Sequence, residues 1–129
     1  MSILIEQVLD YLAGQGIGTK ATDMFLNELP DTPNNATAVI DSSGGVVDNE
    51  VPVRNKRVQI LVRNTDYETG HNLAESIFQL LHQQKDTFTF GAGSVDVMTI
   101  FAIDEPYPIG QDDNNRHIFS TNYAITYRE

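Results

Sequence analysis

The stretch Val58–Gln83, VQILVRNTDYETGHNLAESIFQLLHQ, changes period half-way along. Val58, Ile60 and Val62 alternate with Gln59 and Arg63, which gives a β-strand one apolar face. Beyond Asp66 the apolar residues recur at helical spacing, and Leu73, Ala74, Ile77, Leu80 and Leu81 form one stripe. Arg63, Asn64, Thr65 and Asp66 gather at the joint, with His71 one turn further on. Such a joint suits an active site or a helix cap, and the spacing points to the cap. Thr65 is placed to accept from the amide of Glu68 while the Glu68 side chain reaches back to the amide of Thr65, and Asp66 and Glu68 suit the positive end of the helix dipole. Thr65, Asp66 and Glu68 are therefore read as a structural cap.

Upstream, Ile5, Val8, Leu9 and Leu12 align on one face of a first helix, which Gly14 and Gly16 stop. Two short apolar pieces follow, around Phe25 and Val39, separated by the turn residues Pro30, Asp31, Pro33, Asn34 and Asn35; they read as a pair of strands. Asp41–Lys56, DSSGGVVDNEVPVRNK, has no sustained period and reads as a long loop or a loose hairpin extension. Downstream, FTF and VDVMTIFAI read as strands, Asp104–Arg116 as a polar connection, and HIFSTNYAITY as a half-solvated strand with Phe119, Thr121, Tyr123, Ile125 and Tyr127 on one side. Two main helices packed on a largely antiparallel or mixed sheet predict a single α+β domain over residues 1–129. No internal repeat is visible.

A chain of 129 residues should remove roughly two thirds of its unfolded surface from water, enough for a core without staples. It contains no cysteine, so disulfides, thiolate metal sites and a thiol nucleophile are excluded. Eighteen acidic against eight basic residues leave a net charge of −10, which argues against a large phosphate-binding face. The N-terminus carries Glu6 and Asp10 and no basic start, so it is not expected to act as a signal peptide or to span a membrane. The expected product is soluble and made inside the cell.

The candidate chemistry is thin. His71 and Glu75 could share a metal ion but need a third ligand, and His82 lies ~16 Å further along the helix. GQDDNNRH puts Arg116 at the fifth position of a calcium loop and has no glycine at the sixth, so it reads as a solvated turn. The glycines of FGAGS lack the lysine and helix of a phosphate loop, and NAT at Asn35–Thr37 means little without a secretory signal. Ser42, Ser43 and Ser94 have no histidine partner that the sequence places. The expectation is of no enzyme, no metal and no cofactor.

Taken together, LPDTPNNATAVIDSSGG, VQILVRNTDYETGHNLAESIFQLLH and PYPIGQDDNNRHIFSTNYAITYR resemble the phage minor capsid or tail terminator family, in order and over most of the chain. The resemblance implies a small α+β subunit that forms a ring, commonly a homohexamer, on the last ring of the tail tube protein. The ring would stop elongation and offer a face to the head-completion or connector protein. DNA would pass through without specific binding, at the head-proximal end of the virion tail, after assembly in the host bacterial cytoplasm. A sphere of gyration radius ~14 Å, with a diameter on the order of 36 Å, is consistent with this. Six touching copies leave a hole comparable to one copy, whereas three leave a small fraction of it. A head-completion protein of the same virion and a small-molecule-binding α+β module are the rival readings.

Within that role, the segment Ser42–Asn55 is expected to carry assembly. Val46, Val47, Val51 and Val53 are more apolar than a free loop needs, and Arg54, Lys56 and Arg57 would meet acids on a partner. The competing possibility is a hairpin folded back on its own sheet.

Overall fold

The first apolar stripe forms α1, Leu4–Gly14, burying Ile5, Val8, Leu9 and Leu12. It ends because Gly16 adopts φ +87, a region that glycine enters without a Cβ penalty. There the Gly16 amide donates to Ala13 O and the Ile17 amide to Leu12 O, each at 3.1 Å, the paired bonds of a Schellman stop. The computed structural model describes residues 4–44, 53–82, 84–85 and 96–128. After α1 come β1 (Met24–Leu26), β2 (Ala36–Gly44), β3 (Val53–Asn64), α2 (Tyr67–Leu81), β4 (Gln84–Lys85), β5 (Asp96–Ala102), β6 (Tyr107–Gln111) and β7 (His117–Arg128). The fold is α+β with a mixed sheet, in the order β1-β2-β3-β7-β5-β4, and β6 also pairs with β7. Only the β1–β2 pair is parallel among these pairings.

Of the long loop and the hairpin extension that the sequence allows for Asp41–Lys56, the described ends take the second: β2 continues to Gly44 and its antiparallel partner β3 starts at Val53. The reason lies in a partner distant in sequence, because β7 pairs with β3 along its whole length, from Val53↔Arg128 to Asn64↔His117. The polar connection Asp104–Arg116 likewise contains β6, which is exposed throughout and holds its place by pairing with the first residues of β7. β5 pairs with the far half of the same β7 edge. Between them the Asp104 carboxylate accepts from the Asn122 amide at 3.0 Å and from its Nδ2 at 3.1 Å, replacing the strand partner that the excursion removes. FTF lies outside the described residues.

Register assigns the two faces of the sheet. Val58, Ile60 and Val62 stand opposite Tyr123, Thr121 and Phe119, and the apolar members join Leu9, Leu12, Ile77 and Leu81 in the core. Both helices therefore lie on this face. Helix α2 buries Gly70, Ala74, Ile77 and Leu81 against it, the stripe read from the sequence with Leu73 and Leu80 at its margin. The alternate residues, among them Ile40, Gln59, Leu61, Asn122, Ala124 and Phe101, project to the other side, and none of them joins the core.

Tyr123 is fully buried on the helix side, and among the described residues its hydroxyl has no hydrogen-bond partner. Burial pushes that hydroxyl above its ordinary pKa. Tyr123→Phe removes an unsatisfied polar atom and keeps the ring, so stability should be unchanged or raised by up to ~1 kcal/mol. A urea titration checks this, and a clear loss would reveal a partner for the hydroxyl.

Candidate functional site

The joint between β3 and α2 is a cap, but the capping oxygen sits one residue later than expected. Asp66 is the N-cap, with φ −106 and ψ 123. Its Oδ2 accepts from the Thr69 amide at 2.9 Å and from the Thr69 hydroxyl at 2.5 Å. Thr65, expected to cap through Glu68, instead gives its amide to Asn35 Oδ1 at 3.0 Å. A neighbouring loop has taken the donor that the expected box required, and Glu68 stays in the first helical turn. The Thr69 hydroxyl, followed by its amide, holds the Asp66 carboxyl below its ordinary pKa.

Asp112 is depressed too, chiefly by the Arg116 amide, against the opposing effect of burial. Both carboxylates ionise more readily folded than unfolded. Their contribution is therefore full above pH ~4 and is lost as pH falls through the lower folded values. Thermal melts should show this acid-side loss, and Asp66→Asn should shrink it. At neutral pH, Asp66→Ala should lower Tm by about 3–5 °C and Thr65→Ala by less. The reverse order would restore Thr65 as the cap.

Beside the joint, two buried arginines organise one end of the sheet. Arg63, at the end of β3, donates to the carbonyls of Pro30, of Pro33 at 2.6 Å and of Asn34 at 3.1 Å. Arg116, before β7, donates to the Asp31 carbonyl at 2.5 Å, the Asp31 carboxylate at 2.8 Å and the Asp112 carboxylate at 2.8 Å. Burial, followed by the nearby Arg116 charge, lowers the pKa of Arg63. For Arg116 burial opposes the charge, and the hydrogen bonds to Asp31 and Asp112 outweigh it, so its pKa is raised. These guanidinium groups hold LPDTPNN, a loop with no regular structure of its own, against the sheet end. They are committed to the chain itself rather than offered to a phosphate.

The sequence reading missed this role. Arg63 falls on the polar phase of its strand, and nothing local shows that a loop 30 residues away in sequence folds over it. The only signal was compositional: a proline-rich segment full of carbonyls and poor in donors needs a cation from elsewhere.

The expected interface residues fall only in part within the described residues. Val46, Val47 and Val51 lie outside the described residues. Val53 opens β3 opposite Arg128. Arg54 and Arg57 are exposed, whereas Lys56 is half-buried and donates to Asp41 at 3.2 Å. Strand alternation also separates them: Arg54 and Lys56 share the phase of Val58, and Arg57 projects to the helix-free face.

His71 Nε2 and Glu75 Oε1 are 3.9 Å apart, and the Tyr67 ring stacks on His71 and meets His117 edge-on at 5.3 Å. Among the described residues no group of three or more histidine, aspartate or glutamate side chains is arranged to hold a metal. The other exposed feature is apolar. Phe101, Ile103, Tyr107 and Ile109, along β5, β6 and the turn between them, are 42–52% exposed.

A family model described as "Bacteriophage tail terminator protein" matches residues 11–129. Comparison with curated proteins gives no match. Among solved structures, a chain from "Virion of native gene transfer agent (GTA) particle" aligns with a TM-score of 0.59 at 11% sequence identity, covering 97% of this chain and 92% of that one. At that identity the likeness is one of fold.

Proposed function

The chain belongs to the bacteriophage tail terminator family, and from that premise we propose that it closes a ring, hexameric by preference, on the last ring of the tail tube. There it stops elongation and offers the face that joins the head. Membership makes it a structural protein of the phage tail. The match over residues 11–129 is the observation that carries the proposal, since it takes in every strand, all of α2 and the last turn of α1. We assign the whole chain to one domain. Its partners in this reading are its own copies, the tail tube protein and a head-completion protein, at the head-proximal end of a tail assembled in the host cytoplasm. The segment from Val46 to Arg57 remains the proposed contact with a neighbouring copy or the tube, with exposed Arg54 and Arg57 as its cationic members.

DNA passes through such a ring and should not be retained. The net charge is −10. Arg63 and Arg116 are buried, Lys20 pairs with Glu6 and Asp10, and Lys56 pairs with Asp41. Few cations are left to release counterions, so duplex binding at about 150 mM salt is expected to be weaker than micromolar. Submicromolar binding in a fluorescence titration would contradict this.

Electron microscopy of particles assembled without this protein tests the role. Overlong tails are the expected result. Tailless, leaking heads would make it a head-completion protein, and normal particles would remove it from tail assembly. In complete particles, any symmetry other than six in the head-proximal layer would overturn the hexamer.

A further inference from the structure

The helix-free face of the sheet differs from the rest of the molecule in charge. The chain carries eighteen acids, yet the described positions projecting to that face from β2, β3, β6 and β7 include none. Asp41 has the opposite phase, opposite Val58, whereas the Asp104 carboxylate reaches this face from the excursion and is engaged there by the Asn122 side chain. Asp96, opposite Arg128 at one corner, is the exception on β5. Arg57 is the cation in the middle of the face, and Arg128 occupies a register position on the same side.

The face is also more apolar than a wetted sheet surface requires. Ile40, Leu61 and Ala124 are half-buried without reaching the core, and Phe101 and Tyr107 are 48% and 42% exposed. Strand addition along the β6 edge is disfavoured, because Pro108 offers no amide and the register shifts between Pro108 and Gly110. Recognition there falls to side chains.

The helical layer has the opposite character. Glu6, Asp10, Glu68 and Glu75 belong to α1 and α2, and neither helix contains a lysine or arginine; Lys20, beside α1, pairs with both Glu6 and Asp10, which leaves the layer an excess of acid. Asp10 and Glu75 side chains are 49% and 41% exposed.

We propose that the helix-free sheet face is the surface on which a second copy of this chain docks, presenting its acidic helical layer. Copies that each carry −10 repel one another, and this face, with Arg57 in its middle and Asp104 already engaged by Asn122, places little acid against another copy's acids. Because the two contacting patches differ, the contact is head-to-tail. Repeated contacts of that kind do not end at a two-fold dimer, and they close into a ring when the rotation between copies divides a full turn. The inference rests on the ring reading above and names the surface that builds the ring.

Two arms test it. Arg57→Glu combined with Phe101→Asp alters two exposed residues, so the free protein should keep its cooperative melt. Particles assembled with it should lack the terminal ring and carry overlong tails, while Arg57→Lys with Phe101→Leu behaves as the parent. In the second arm the absence of cysteine removes any background. A chain with both Phe101→Cys and Glu75→Cys, treated on particles with a short bismaleimide, should give a ladder of covalent multimers that neither single variant gives. Normal tails from the charge-reversed chain would overturn the proposal, as would cross-links from position 101 to position 101, or from position 101 to the tube protein. If omitting the protein leaves tail length unchanged, the terminator reading fails instead. The ladder still reports the docking surface, since it reads oligomer geometry whatever the oligomer does.

Discussion

Arg63→Ala is expected to lower the unfolding free energy by about 3 kcal/mol, the largest single effect of an arginine truncation in this chain. The residue is 3% exposed, and its guanidinium serves three carbonyls of one loop, those of Pro30, Pro33 and Asn34. Truncation leaves those acceptors at the sheet end without their donor, and each hydrogen bond to a charged group typically contributes about 1.5–3 kcal/mol, not additively. Relief of the repulsion from Arg116 returns a small part. Arg63→Lys should recover less than half of the loss, because an ammonium cannot reproduce a planar fork aimed at several carbonyls. Urea denaturation gives the magnitude, and hydrogen exchange at Thr65, whose amide bonds to Asn35 in the same region, gives the location. A loss below ~1 kcal/mol would mean that the loop holds itself.

Gly70→Ala should also destabilise, against the helix scale, which favours alanine by about 1 kcal/mol. A Cβ at this position would stand 2.8 Å from Phe119 Cε2 and 3.0 Å from Asn64 Cβ. Phe119 cannot easily yield: it is fully buried, with the Tyr67 ring at 5.1 Å and the His71 ring at 6.1 Å. Asn64 is constrained as well, since its Oδ1 accepts from the amide of the capping Asp66. Overpacking of this kind costs about 1–3 kcal/mol, so against the helix-propensity gain a net loss of up to about 2 kcal/mol is expected. The double variant Gly70→Ala, Phe119→Leu should lose less than the sum of the two single changes, because the shorter side chain vacates the contested space. Simple additivity would show that the ring is not what excludes the methyl group.

That glycine illustrates the division between what the sequence holds and what it does not. From the sequence Gly70 is an oddity in a helix; in the structure it is a point where α2 packs too closely on Phe119 of β7 to admit a Cβ. The helices themselves were legible. Ile5, Val8, Leu9 and Leu12, and later Ala74, Ile77 and Leu81, repeat at helical spacing, and those residues are the ones buried. The alternation of Val58, Ile60 and Val62 and of Phe119, Tyr123 and Ile125 likewise determined two long strands and the side each turns to the core. The α+β class follows from these patterns, because periodicity depends only on near neighbours and on which residues avoid water.

The features that needed a distant partner were not legible. β6, with a proline, a glycine and no buried side chain, is a strand because β7 offers it a free edge. The cap moved from Thr65 to Asp66 because Asn35, thirty residues away, took the Thr65 amide. Arg63 and Arg116 became the ties of a loop 29–33 and 85 residues distant. The acid-poor sheet face exists only once register sets the phase of Gln59, Leu61 and Asn122 against one another. In each case the deciding energy is a hydrogen bond or a packing contact between segments that the chain order keeps apart. Local propensity carries no record of that contact until the fold has closed.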